Sequence, residues 1–334
     1  MTKKILILKN DRTGDLFVSL KAINRIINKH NNQDIIIFLS NINHKFNFLF
    51  PSIKKKIISM RLDFIEKIKI FFYILVNEID TIYILAPKNF YYYLPFFFRK
   101  IKFYGITIKS SRNRPNNFFL KYLFKYVVLD RVKIKKRESS YIIQENLIEY
   151  TSEINNLNKK SNVSHNLEYP KKFIYFHYKH TFFNKLLKWE LDTISKFLNF
   201  LSNKYENILF SSELFNKRIN NYFLDNYNNY DFENNKINLI NKKNIFFLKD
   251  IDGYNLFDAV NKSSKIISPE GLITHMGYFL NKSILALMHF NLKNRRDFIS
   301  QIISCKEWFP PDNYNYTVLK KDFRKSLQKL NKRI

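Results

Sequence analysis

Two turns in the chain bring together residue types that could do chemistry on a phosphorylated substrate. The first is KILILKNDRTGDLFVSL (Lys4–Leu20), where an apolar run gives way through Gly14 and Asp15 to a helix-like pattern. A glycine there can adopt backbone angles closed to other residues and let a ligand approach the main chain. Asp15 at a helix start is a candidate general base, although aspartate is also a favoured N-cap worth about 1 kcal/mol. On this stretch alone, capping outranks catalysis. The second is SKIISPEGLITHMGYFLNKSILALM (Ser264–Met288), where Glu270 and Gly271 open a helix carrying His275 and Gly277. The free amides and dipole of such a terminus attract phosphate. Three of only five glycines fall in these two turns and their helices, which predicts close backbone approach at both.

Further candidates follow other strand ends. In HYKHTFFNKLLKWELDTISKFL (His177–Leu198), Thr181 and Lys185 are placed to contact a diphosphate, with Lys188 the rival lysine. Glu213 follows NILFS and could meet a sugar or ribose hydroxyl. Positive residues of the N-terminal half, Lys54, Lys55, Lys56 and Arg61 and then Arg112 and Arg114, are candidates for holding an acidic acceptor. A charge run is more often only a solvated face.

The elements that must position these residues are short, continuously apolar runs alternating with helix-period segments. Ile5–Leu8, Asp34–Ser40 and Thr81–Ala86 read as strands covered on both faces, as in a parallel sheet. Leu16, Leu20, Ile23 and Ile27 mark the buried side of the first helix. IFFYILV (Ile70–Val76) reads as a buried helix face. Thr151–Lys172 reads as a linker, after which the alternation restarts at Phe173–His177, and the Asn-rich Asn220–Lys243 reads as a loose helix and loop. The expected architecture is α/β: two doubly wound, Rossmann-like domains, 1–160 and 161–334. The basic amphipathic helix at Lys320–Ile334 is a candidate for packing back on the first domain.

Composition narrows the classes. The 334 residues carry 57 Lys and Arg against 28 Asp and Glu, a formal charge of +29, which favours anionic partners. Scarce Gly, Pro and Cys beside abundant Lys, Asn, Ile and Phe point to a general compositional bias behind part of that excess. Cys305 is the single cysteine, so no internal disulfide is expected and a reducing cytoplasm is the default. No run reaches the roughly 18 apolar residues of a membrane span. The cluster FYYYLPFFF (Phe90–Phe98) either packs inside or touches a membrane interface. No basic stripe with interleaved stacking aromatics stands out, so nucleic acid is not the expected partner, although a basic nucleic-acid-binding protein stays open as an alternative, as does a non-catalytic scaffold.

In order along the chain, these stretches resemble glycosyltransferase family 9, the heptosyltransferases of lipopolysaccharide core synthesis. KILILKNDRTGDLFVSLKAINRI is similar to the family's opening, KWELDTISKFL to its tryptophan-initiated helix, and LFDAVNKSSKIISPEGLITHMGYFLNKSILALM to its donor signature. EWFPPDNYNYTVL is similar to its late aromatic-proline stretch. The resemblance implies a GT-B architecture with two domains facing a central cleft, 1–160 binding the acceptor and 161–334 the nucleotide-sugar donor. It also implies inverting transfer without a metal or cofactor, from a nucleotide-diphosphate sugar such as ADP-linked heptose to a lipopolysaccharide-core or other cell-surface glycan. Asp15 then takes the general-base role, Lys185 the phosphate lysine, and Glu270 and His275 the acid and histidine of the donor signature. Glu270 stands where the family usually has Asp, and Leu187 where its lysine usually stands, two residues before Trp189. The implied location is the cytoplasm, at the inner face of the inner membrane.

Overall fold

The computed structural model describes residues 4–31, 33–106, 115–128, 139–148, 157, 168–212, 217–241, 244–290, 308–311 and 315–334. The chain forms two compact units, residues 1–159 with 303–311, and residues 160–302 with 312–334.

The first unit is built on six parallel strands: β1 (Lys4–Lys9), β2 (Asp34–Ser40), β3 (Lys54–Ile58), β4 (Ile79–Ile84), β5 (Lys102–Ile106) and β6 (Tyr126–Val128). Their order is β3-β2-β1-β4-β5-β6, so the winding reverses between β1 and β4. Ligands of open α/β sheets bind at the carboxyl ends of strands beside such a reversal. On one face lie α1 (Thr13–Lys29) and α5 (Ser140–Glu145), tied by Ser19 to Gln144 and by Arg25 to Glu145 at 2.8 Å. On the other face α2 (Phe64–Val76), α3 (Asn89–Phe97) and α4 (Asn117–Leu123) share one core with Leu6, Leu8, Phe38, Ile82 and Ile84.

Helix α2 corrects the expectation of a buried Ile70–Val76 face. Only Ile70 and Ile74 are buried, while Phe72, Leu75 and Val76 are exposed. The segment is apolar on every side, so periodicity could not say which side would find a partner. The Phe90–Phe98 cluster divides in the same way: Tyr91, Tyr92 and Leu94 are buried, Tyr93 and Phe97 exposed.

The second unit has eight strands. They are β7 (Ile174–Tyr178), β8 (Ile208–Ser212), β9 (Asn228–Asp231), β10 (Lys236–Asn238), β11 (Ile245–Lys249), β12 (Lys265–Pro269), β13 (Ser283–Met288) and β14 (Asn315–Val318). Their order is β10-β9-β11-β8-β7-β12-β13-β14, parallel except for β10, with the reversal between β7 and β12. Helices α6 (Leu191–Ser202), α7 (Lys217–Asn226), α8 (Gly253–Lys262), α9 (Leu272–Phe279) and α10 (Phe323–Asn331) complete it.

The Asn-rich segment is not a loose loop: β9 is a buried strand. Its asparagines are satisfied, with Asn228 Oδ1 accepting from the Ile240 amide at 2.7 Å and Asn229 Oδ1 from Asn238 Nδ2 at 2.8 Å. A strand filled with paired polar groups has no apolar signature to read. Helix α10 is anchored within the second unit. Phe323, Leu327 and Leu330 join the second unit's own core, where Phe323 meets Trp189 edge-on at 5.1 Å. The Trp189 indole also donates to the Lys321 carbonyl at 3.0 Å.

Gly277 is a packing glycine. A Cβ there would press on Ile266 Cδ1 and come within 3.2 Å of Ile284, so α9 lies close on β12 and β13. Alanine would gain up to about 1 kcal/mol in helix propensity, but overpacking costs about 1–3 kcal/mol. Gly277→Ala is therefore expected to lower the chemical-denaturation midpoint, with unchanged slope.

Candidate functional site

The first candidate site lies at the β1/β4 reversal. After β1 the chain turns through Asn10, Asp11 and Arg12 into α1, and this turn is held from several sides. Ser40 Oγ donates to the Asp11 carbonyl at 2.7 Å and Asn43 Nδ2 to the Lys9 carbonyl at 2.8 Å. Tyr91 donates to Asn10 Oδ1 at 2.7 Å, and Asn10 Nδ2 donates to the Ser59 carbonyl at 2.9 Å. The N-cap of α1 is Arg12, and it makes no side-chain cap bond. Asp15 is thus the third helical residue rather than the cap, which removes the capping explanation offered by the sequence. Gly14 is helical too, and Gly271 is the only described glycine with positive φ, so the expected unusual angles at Gly14 are not found.

Asp15 lines a cavity of about 300 Å³ within the first unit. Its walls come from the β1 turn (Lys9, Asp11, Arg12), from the chain after β4 (Leu85 to Lys88), and from Gln144 and Trp308. Sequence reasoning missed most of these. Trp308 comes from the late aromatic-proline stretch, where Ser139 donates to the Phe309 carbonyl at 2.7 Å. Lys9 is 1% exposed, and its ammonium donates to Asp11 Oδ2 at 2.8 Å. A lysine closing an apolar strand was the available signal, because a buried ammonium needs an acid partner.

Burial pushes the Asp11 carboxyl up to about 6, Lys9 opposing this and the Asp15 charge adding to it. The other carboxylate oxygen, Oδ1, is buried with no hydrogen-bond partner among the described residues, in keeping with that strain. A carboxyl whose folded pKa lies above its unfolded value binds the proton more tightly when folded. Its contribution to stability is present at low pH and is lost as pH rises from about 4 to about 6. The stability difference between wild type and Asp11→Asn should fall across that window by about 2–3 kcal/mol, measured by urea unfolding at each pH. At neutral pH the variant also strips Lys9 of its partner, so it should not be more stable there than the carboxylate's burial alone would make it.

The second candidate site lies at the β7/β12 reversal. β12 ends at Pro269, and Gly271 takes φ +148°, a region that L side chains rarely adopt. The Gly271 amide donates to Thr274 Oγ1 at 3.1 Å, and that hydroxyl donates to the Gly271 carbonyl at 2.7 Å. The amides of Leu272 and Ile273 are first-turn donors without an intrahelical acceptor by position. Glu270 Oε1 lies 3.4 Å from Nε2 of the buried His275. Burial would raise the Glu270 carboxyl, but the hydrogen bond and charge of His275, with the charge of Lys179, outweigh it and hold the group below its ordinary range.

The lysine at this turn is Lys179. Its Nζ donates to the Glu270 carbonyl at 3.4 Å, and a Cβ on Gly271 would sit 3.5 Å from the same atom. Thr181 and Lys185 lie further along, exposed on the short π-helical turn Thr181–Leu186 that is anchored by buried Phe182 and Phe183. Lys188 is exposed, with φ +60°. Beneath Lys179, burial and then the lysine's charge push the His177 imidazole down to about 3, so it stays neutral, with Nδ1 3.0 Å from Ser211 Oγ.

Glu213, Arg112 and Arg114 lie outside the described residues, as does Cys305. Lys55 and Arg61 are exposed, and neither lines the Asp15 cavity. Lys55 stands on β3, an edge strand, where exposed lysines also deter edge-to-edge pairing. Its neighbours are already engaged, Lys54 with Asp34 at 3.1 Å and Lys56 over the Tyr73 ring at 4.0 Å.

No family model matches the chain, and no curated protein matches it by sequence. Solved structures do match it along nearly its whole length. A glycosyl transferase family 9 protein from Veillonella parvula DSM 2008 is 13% identical with a TM-score of 0.61, over 99% of this chain and 90% of that one. The E. coli ADP-heptose LPS heptosyltransferase II is 14% identical with a TM-score of 0.63, over 98% of each chain. The UDP-GlcNAc 2-epimerase from Methanocaldococcus jannaschii is 14% identical with a TM-score of 0.56, over 98% of this chain and 92% of that one. At this identity the likeness establishes the fold: a GT-B protein of two Rossmann-like units.

Proposed function

We propose that the chain is a glycosyltransferase of family 9 type. It moves a sugar from a nucleotide-diphosphate donor to a glycan acceptor, with inversion and without metal or cofactor. Support comes from two sites, one at the strand-order reversal of each unit. One presents a carboxylate in the first turn of a helix. The other presents a positive-φ glycine, first-turn amides and Lys179, a group of donors suited to a diphosphate.

In this reading the acceptor hydroxyl oxygen attacks the anomeric carbon as the carbon–oxygen bond to the diphosphate breaks. The hydroxyl proton passes to Asp15, and the bonding electron pair leaves on the nucleoside diphosphate. General-base assistance supplies typically 10²–10⁴-fold. The amides of Leu272 and Ile273 and the ammonium of Lys179 stabilise charge on the leaving group. Glu270 and His275 hold the turn in shape through their contact at 3.4 Å. Thr181 and Glu213 contact the donor, with Lys185 a weaker outer contact, and Lys55, Arg61 and Arg112 contact the acceptor. Heptose is the sugar that the family resemblance implies and that the matched E. coli ADP-heptose LPS heptosyltransferase II is named for, and the proposed acceptor is an anionic glycolipid such as lipopolysaccharide core, reached at the cytoplasmic face of the inner membrane.

A thermal-shift panel of ADP, UDP, GDP and CMP, alone and as sugar conjugates, tests the reading. One nucleotide diphosphate should stabilise the protein by about 2.7 kcal/mol at 100 times its dissociation constant. A flat panel would overturn the donor site.

A further inference from the structure

The side of the first unit covered by α2, α3 and α4 carries an apolar surface that the proposed chemistry does not use. The three helices pack on the same face of the sheet, so their outward sides adjoin. Ring contacts join them: Phe71 meets Phe97 at 5.5 Å between α2 and α3, and Phe96 meets Phe119 at 5.9 Å between α3 and α4. The outward side chains are large and open to solvent, Val76 at 74%, Phe97 at 67%, Phe118 at 71% and Tyr122 at 80%. A groove of about 550 Å³ continues this surface between α2 and the edge strand β3, lined by Ile57, Ile68, Phe72 and Val76, with Lys56, Lys69 and Glu66 also on its walls. Isolated exposed hydrophobics are ordinary, but a joined patch of this kind marks a binding surface.

The charge beside the patch selects the occupant. Residues 89–106 and 115–128, which span α3 and α4, contain no acidic side chain, and the one acid of α2, Glu66, lies 3.6 Å from Lys69. They carry exposed Arg99, Lys100, Lys121 and Lys125 around the aromatic rings. Each basic side chain near an anionic bilayer adds about 1 kcal/mol of attraction, and aromatic and aliphatic side chains on the same face add apolar burial in the headgroup region. No described helix is long and apolar enough to cross a membrane. We propose that this α2–α3–α4 face seats the protein on the surface of a bilayer rich in anionic lipid. It deepens the transferase reading, since a lipid-linked acceptor would be met at that surface, but its test is independent of turnover.

The experiment is flotation of the full chain with vesicles of phosphatidylglycerol and phosphatidylethanolamine, against phosphatidylcholine vesicles. The wild type should float with the anionic vesicles, release as salt screens the charges, and stay down with phosphatidylcholine. Phe72→Glu with Leu75→Glu, and separately Phe97→Glu with Tyr122→Glu, should lower the floated fraction about tenfold or more. Both variants should keep the wild-type melting temperature and any nucleotide-induced thermal shift. Wild type that stays down with anionic vesicles, or variants that float like wild type, would overturn the proposal. So would a concentration-dependent dimer in solution that these substitutions dissolve, because the face would then belong to a second copy. A flat nucleotide panel beside normal flotation would sink the donor reading and leave this surface standing.

Discussion

Asp15→Asn is expected to reduce turnover by about 10²–10⁴-fold while leaving nucleotide-induced stabilisation unchanged. The substitution keeps the shape of the side chain and removes only its capacity to take a proton. Because Asp15 is not the N-cap of α1, it makes no cap bond that the variant would lose. The remaining structural cost is the favourable placing of a negative charge in the first turn, about 0.3–1 kcal/mol. A folded, nucleotide-binding, inactive variant is therefore the expected outcome. The check is nucleoside diphosphate release from the donor identified by the panel, with a membrane glycolipid extract as acceptor. Turnover within a few-fold of wild type would show that another group takes the proton, and Asp11 in the same cavity would be the next to test.

Lys179→Met should weaken binding of the nucleoside diphosphate by about 10–100-fold, from the loss of a charge-assisted hydrogen bond worth about 1.5–3 kcal/mol. Lys185→Met should change it less than threefold. Lys179 reaches the Glu270–Gly271 turn, whereas Lys185 is exposed on the π-helical turn beyond it. Methionine keeps most of the aliphatic stem, so packing loss is small beside loss of the ammonium. Isothermal titration with the nucleoside diphosphate reads both variants. The reverse order would restore Lys185 to the phosphate role that the family resemblance implies.

The two predictions rest on unequal shares of sequence and structure. Asp15 was legible because a strand, a glycine and an acid in succession mark a strand-to-helix turn without tertiary information. Glu270, Gly271 and His275 were legible for the same reason, and Gly271 is where a glycine is required by its backbone angle. Lys179 is not legible in the same way, because it directly follows the strand β7 in a segment where Lys185 and Lys188 offer equal residue type. In a chain this rich in lysine, residue type carries little information; only distance to the turn distinguishes one ammonium from another.

The alternation of continuous apolar runs with helix-period segments was enough to determine two parallel α/β units, because strands covered on both faces leave that pattern in any order of pairing. It also directed attention to the strand ends, where ligands of open α/β sheets bind. Tertiary structure alone decided which ends adjoin a reversal of strand order. It brought Trp308 to the Asp15 cavity across more than half the chain, and it set a buried Lys9 against Asp11. It alone left one side of α2 bare, since periodicity records how many sides of a helix are apolar and only packing decides which of them is covered.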